Sequence, residues 1–150
     1  MTRTISLIII MAMALSACAR EHKLQLGQFG GYVQAFETRG SAFGKTIQVD
    51  DLIVEFGTME RASEQGYCLL KENDTPIIRV NQTAWNGMTE SERQLLLNHE
   101  LGHCILGRVH KNDLLQPAEI PASLMNSYAI DSDLYVTHKD YYDGELFRGS

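Results

Sequence analysis

The sequence predicts an α+β domain: a helix, a small mixed sheet, a central helix, an irregular turn-bearing segment and a closing helix, in that order. Three observations predict it. Short runs rich in β-branched residues, punctuated by Asp, Asn and Gly, occupy residues 47–80. A run of good helix formers with both ends marked begins after Thr89. A second helical pattern closes the chain at residues 139–147. At 150 residues the chain is long enough for one domain and not comfortably two.

The chain opens with Arg3 in a short positive stretch, followed by an apolar or small run at residues 5–15. That run is too short to span a bilayer as a mature helix and reads as a signal peptide over residues 1–17. It ends in L-S-A-C, which resembles a bacterial lipobox. The resemblance implies cleavage before Cys18 and acyl chains on that cysteine; a plain signal peptide with a free Cys18 is the other reading. Residues 18–27 are polar and mixed, a tether, and residues 28–150 are the domain. Ala19 follows the cysteine where many inner-membrane lipoproteins have aspartate, so the expected location is the bacterial envelope, lipid-anchored, in the outer membrane. The formal net charge of −6 argues against nucleic acid as a partner and gives no attraction to anionic lipid. The membrane link would be the lipid alone, and the expected protein is a monomer.

Residues 29–39 read as a helix with Tyr32, Val33 and Phe36 on one side, broken by Gly40 and Gly44. Residues 47–49, 52–56, 68–71 and 77–80 read as strands, the last two joined by a turn at N-D-T-P. The central helix starts at T-E-S-E, a capping box with Thr89 as N-cap and Glu92 three residues on. Glu90 and Glu92 fall where the helix dipole favours negative charge. Gly107 is a natural stop. Leu97, Leu101, Cys104 and Ile105 form one apolar stripe opposite His99 and His103.

Those two histidines belong to H-E-L-G-H at residues 99–103. Four residues apart on a helix, they share a face and can hold one metal ion through their ring nitrogens. Glu100, about 100° further round, can take a proton from water that the metal activates. Cys68 and Cys104 form an even pair in an exported domain, which suggests a disulfide fastening this helix to the sheet; two buried free thiols are the alternative. After His110 the helical signal fades through Pro117 and Pro121. S-L-M-N-S-Y at residues 123–128 is a compact turn, and residues 139–147 close the chain with Tyr142, Leu146 and Phe147 inside and Asp140, Asp143 and Glu145 outside.

H-E-L-G-H with Gly107, His110 and the later Met125 resembles the metzincin clan of zinc metallopeptidases, which uses H-E-x-x-H-x-x-G-x-x-H and a methionine turn. More narrowly it is similar to small bacterial lipoproteins of metallopeptidase type. The resemblance implies a metzincin-like zincin domain, one Zn²⁺ per chain on His99, His103 and His110, Glu100 as general base and a peptide or protein as substrate. It also implies that Met125 forms an apolar floor under the metal. Tyr128 would be a transition-state stabiliser, although it sits one residue further from the methionine than the clan's tyrosine. A larger departure concerns Gly107 and His110, which lie eight and eleven residues after His99 rather than seven and ten. The added residue turns the outgoing chain by about 100° unless the turn absorbs it, which makes Asp113, Glu119 and His138 rival ligands. A non-catalytic metal-binding envelope lipoprotein and an envelope protein with a chance motif are the two alternatives in function.

Overall fold

The computed structural model describes residues 22–61 and 63–149; the stretch read as a signal peptide and Cys18 lie outside the described residues. The order is β1 (Leu24–Gln25), a 3-10 turn (Gly27–Phe29), α1 (Gly30–Ala42), β2 (Leu52–Phe56), β3 (Gly66–Leu69), β4 (Ile77–Val80), α2 (Gln82–Gly87) and α3 (Glu90–Cys104). A two-stranded ribbon, β5 (Leu114–Leu115) and β6 (Ile120–Pro121), follows, then α4 (Ser132–Thr137) and α5 (Lys139–Arg148). The main sheet has the order β1-β2-β4-β3. β1, β2 and β4 run parallel and β3 runs antiparallel to β4, so the sheet is mixed and the fold is α+β.

Helix α3 carries the fold. Its capping box is complete: the Thr89 hydroxyl accepts from the Glu92 N–H, and the Glu92 carboxylate accepts from the Thr89 N–H at 2.7 Å. These bonds hold the Glu92 carboxyl below the usual carboxylate range. Leu97 and Leu101 are wholly buried and meet Ile78, Val80, Leu52 and Val54 of the sheet in one core. Each such leucine contributes about 1.5–3 kcal/mol by leaving water. Helix α1 packs beside α3, and α5 closes over α1 through Phe36, Phe43 and Phe147.

Several expectations change. Gly40 does not break α1; it lies inside the helix, where a Cβ would sit 2.6 Å from Ile47 Cδ1. The glycine lets residues 45–49 fold back onto the helix. Residues 47–49 consequently form no strand: Val49 is buried, and its N–H donates to the Glu37 side chain at 2.7 Å instead of to a neighbouring strand. The segment read as tether supplies β1, and its Leu24 and Gln25 pair with Leu52 and Ile53.

The sheet edge also differs from expectation. Ile77–Val80 is the segment expected to offer an exposed edge to an extended peptide above the cleft, but β4 lies between β2 and β3, and the edges of the sheet are β1 and β3. Asp143 and Glu145, expected outside, point inward. Asp143 is fully buried against Arg39 Nε at 2.7 Å, Lys139 and the Tyr135 hydroxyl. Among the described residues, no helix is long and apolar enough to cross a membrane.

Candidate metal centre

Three imidazoles converge at the C-terminal end of α3. His103 Nε2 lies 3.1 Å from His99 Nε2 and 3.2 Å from His110 Nε2. Ligand atoms of all three rings fall within 4.8 Å of one another. The sequence spacing made His110 the doubtful member, and the helix end explains why it arrives. Leu101 C=O accepts from Ile105 N–H and also from Leu106 N–H, a five-residue step in place of four. Arg108 N–H then reaches back six residues to Gly102 C=O. The last turn is thus widened, as in a π-type bulge, and takes up the added residue. Gly107 at φ 65° reverses the chain, and Lys111 N–H bonds Met125 C=O at 2.8 Å, which holds the segment bearing His110 alongside the turn beneath the site. Asp113, Glu119 and His138 are exposed and, among the described residues, do not join the cluster.

The hydrogen bonds on the far side of the rings fix what the near side presents. His99 Nδ1 faces Leu124 C=O at 2.7 Å, and His103 Nδ1 faces Arg108 C=O at 2.6 Å. A carbonyl only accepts, so each Nδ1 carries the proton and each Nε2 carries a lone pair. Burial pushes His99 down to about 4, against the opposing pull of the Leu124 carbonyl, and burial likewise lowers His103. Both rings are therefore neutral at pH 7, the state that ligates a metal. Two lone pairs facing each other at 3.1 Å repel unless a cation lies between them. The separation is close to the ~3.3 Å between two nitrogens that share an ion at ~2.0–2.1 Å in tetrahedral geometry. The donor set fits a zinc ion, and the Nδ1 bonds are the outer partners that metal-ligating histidines require.

Glu100 is buried beside the edge strand, where its carboxylate accepts from the Cys68 N–H. Burial pushes its carboxyl up to about 8; the Cys68 N–H opposes this and the nearby Glu64 charge adds to it. Cys68 and Cys104 are joined in a disulfide, which fastens β3 to α3 directly beside His103. An open cleft of about 1150 Å³ runs over the site. Gly66 to Cys68 of β3 and Leu70 form one wall, and Val109, Asn126 and Tyr128 contribute to the other. Tyr128 is 81% exposed on that wall, held at its backbone by the Asn126 side chain.

Met125 is fully buried beneath α3. Its Sδ lies where a Cβ on residue 102 would be only 2.5 Å away, with Leu146 Cδ1 at 3.2 Å. Glycine at position 102 is what lets the methionine pass under the two histidine-bearing turns. Gly102→Ala would gain up to ~1 kcal/mol of helix propensity. Against that stands overpacking among immobile side chains, typically ~1–3 kcal/mol. Since Met125 and Leu146 are both wholly buried, the clash should win, and urea unfolding should show a net loss of about 1–2 kcal/mol. A variant more stable than the parent would mean that Met125 can move aside.

Compared with known proteins, the chain matches no family model, no curated protein and no solved structure. The reading of the site therefore rests on its own geometry. Sequence reasoning missed Arg108, Ser123 and Glu145, whose contacts surround the ring carbonyls. It also missed the role of Gly102, although a glycine inside a helix between two histidines was a usable signal.

Proposed function

We propose that this chain is a zinc-dependent peptidase of metzincin-like build, tethered to a bacterial envelope through lipid on Cys18. The observation that carries the reading is the convergence of three Nε2 atoms, two of them in rings whose Nδ1 donates to a backbone carbonyl, which leaves the lone pair on Nε2. Three protein ligands suit a catalytic rather than a closed structural site. A zinc ion held there supplies Lewis acidity, lowering the pKa of water towards ~7 and polarising a carbonyl.

The chain's own residues do the rest. Glu100 accepts a proton at its carboxylate and returns it to the leaving amine; a nearby divalent charge favours the ionised form it needs. The Cys68 N–H orients that carboxylate. β3, an edge of the sheet and a wall of the cleft, can pair with an extended peptide and lay it across α3. Met125 supplies the apolar floor. Tyr128, exposed across the cleft, is the candidate to hydrogen-bond the reacting carbonyl once substrate is seated.

The test is reconstitution. Protein stripped by a chelator should cleave no unfolded protein substrate, and one equivalent of zinc per chain should restore cleavage. His110→Ala should lose metal affinity by more than the ~10–100-fold typical of outer partners and stay inactive at that zinc level. Wild-type protein that binds no zinc would sink the proposal. Protein that binds zinc and cleaves nothing would leave a metal-binding lipoprotein in its place.

A further inference from the structure

The geometry points to Glu145 of α5 as the positioning residue of the metal centre, acting on both helix-borne imidazoles through Arg108 and Ser123. This rests on the three-imidazole reading above and adds a part that the motif does not contain. Both carboxylate oxygens are engaged. Oε1 accepts from Arg108 Nη2 at 2.7 Å and from Lys111 Nζ at 3.4 Å. Oε2 accepts from the Ser123 hydroxyl at 2.6 Å. The Glu145 and Arg108 side chains are each only 11% exposed.

Each arm ends one step from a ring. Arg108 is held further by the C-terminal end of α5, where its Nη1 donates to the carbonyls of Glu145, Leu146 and Gly149 at 2.8–2.9 Å. The Arg108 carbonyl is the one that orients His103. On the other arm, the Ser123 hydroxyl accepts from the Met125 N–H at 3.0 Å. Leu124, clamped between those two residues, supplies the carbonyl that orients His99. The Lys111 N–H bond to Met125 C=O joins the arms into a loop. One carboxylate thus ties down both backbone segments on which the rings lean. A ligand set works only if it is held to within about 0.5 Å, and such outer partners set that tolerance.

Asp143 provides an internal comparison. It lies on the same helix, is fully buried, and pairs with Arg39 and Lys139, but none of its partners supplies a carbonyl to a ring. Cobalt(II) titrated into metal-free protein reads the site directly, by affinity and by the visible bands of a tetrahedral ion. Glu145→Gln, which keeps the shape and loses the charge, should weaken cobalt binding about 10–100-fold and shift the bands. Ser123→Ala, the milder variant, should do the same on the His99 side. Asp143→Asn should lower the thermal midpoint and leave both affinity and bands as in the wild type. The proposal is overturned if Glu145→Gln and Ser123→Ala bind cobalt as tightly as wild type with the same bands, whatever stability they lose. Wild-type protein without cobalt bands would overturn the three-imidazole reading itself, a result visible before any substitution is made.

Discussion

Glu100→Gln should keep the metal and lose the reaction. Glutamine has the same shape, and its carbonyl oxygen can still accept the Cys68 N–H that the carboxylate now takes. Folding should hardly change, because the side chain is buried and its carboxyl is pushed up to about 8 by that burial; an uncharged replacement suits such a place. The ligand nitrogens belong to other residues, so zinc should remain at one equivalent. What disappears is the proton acceptor, and a positioned base is typically worth ~10²–10⁴ in rate. Zinc content and peptide hydrolysis measured on the same preparation give the two halves of the answer. Hydrolysis at the parental rate would remove Glu100 from the chemistry. Loss of zinc along with activity would make the residue a structural support.

What the sequence revealed, and what it hid, follows from the range of the interactions. The capping box, the paired histidines and the apolar stripe of α3 all depend on residues within about one turn of one another, so local spacing exposes them. β4 was equally plain as a strand, but its place inside the sheet depends on where β2 and β3 settle, which spacing does not encode. On α5 the inward turn of Asp143 and Glu145 is invisible locally. Their partners Arg39, Arg108 and Ser123 are 104, 37 and 22 residues away. A charged residue is assigned to solvent by default, and only the arrival of such partners makes burial tolerable. Val49 shows the opposite failure. β-branched residues suggested a strand, but one Glu37 carboxylate captured the N–H that a ladder would have used. His110 sits between these cases. Its type and rough distance were legible, whereas its arrival depends on the widened turn at Ile105 and Leu106, a backbone adjustment without a residue signature.

Removing the disulfide should have the largest effect on stability of any single change. Cys68 and Cys104 are 36 residues apart, and closing a loop of that size removes unfolded-chain entropy worth about 4 kcal/mol on the chain-entropy account. For a domain of this size that corresponds to a fall of very roughly 10–20 °C in the thermal midpoint on reduction. Cys68→Ala with Cys104→Ala should behave alike, with a further small loss from the buried sulfur of Cys104. The damage should not be uniform. β3 is an edge strand paired on one side by β4, and the bond to α3 is its covalent fastening. Hydrogen exchange should therefore rise first in residues 66–69, while the α3 amides around Leu97 and Leu101, enclosed in the core, stay protected. Because the Cys68 N–H also steadies Glu100, hydrolysis should fall under reducing conditions at temperatures where the domain is still folded, with zinc retained. An unchanged midpoint after reduction would mean that the core alone holds β3 in place. Activity lost only together with folding would detach the edge strand from the orientation of the base.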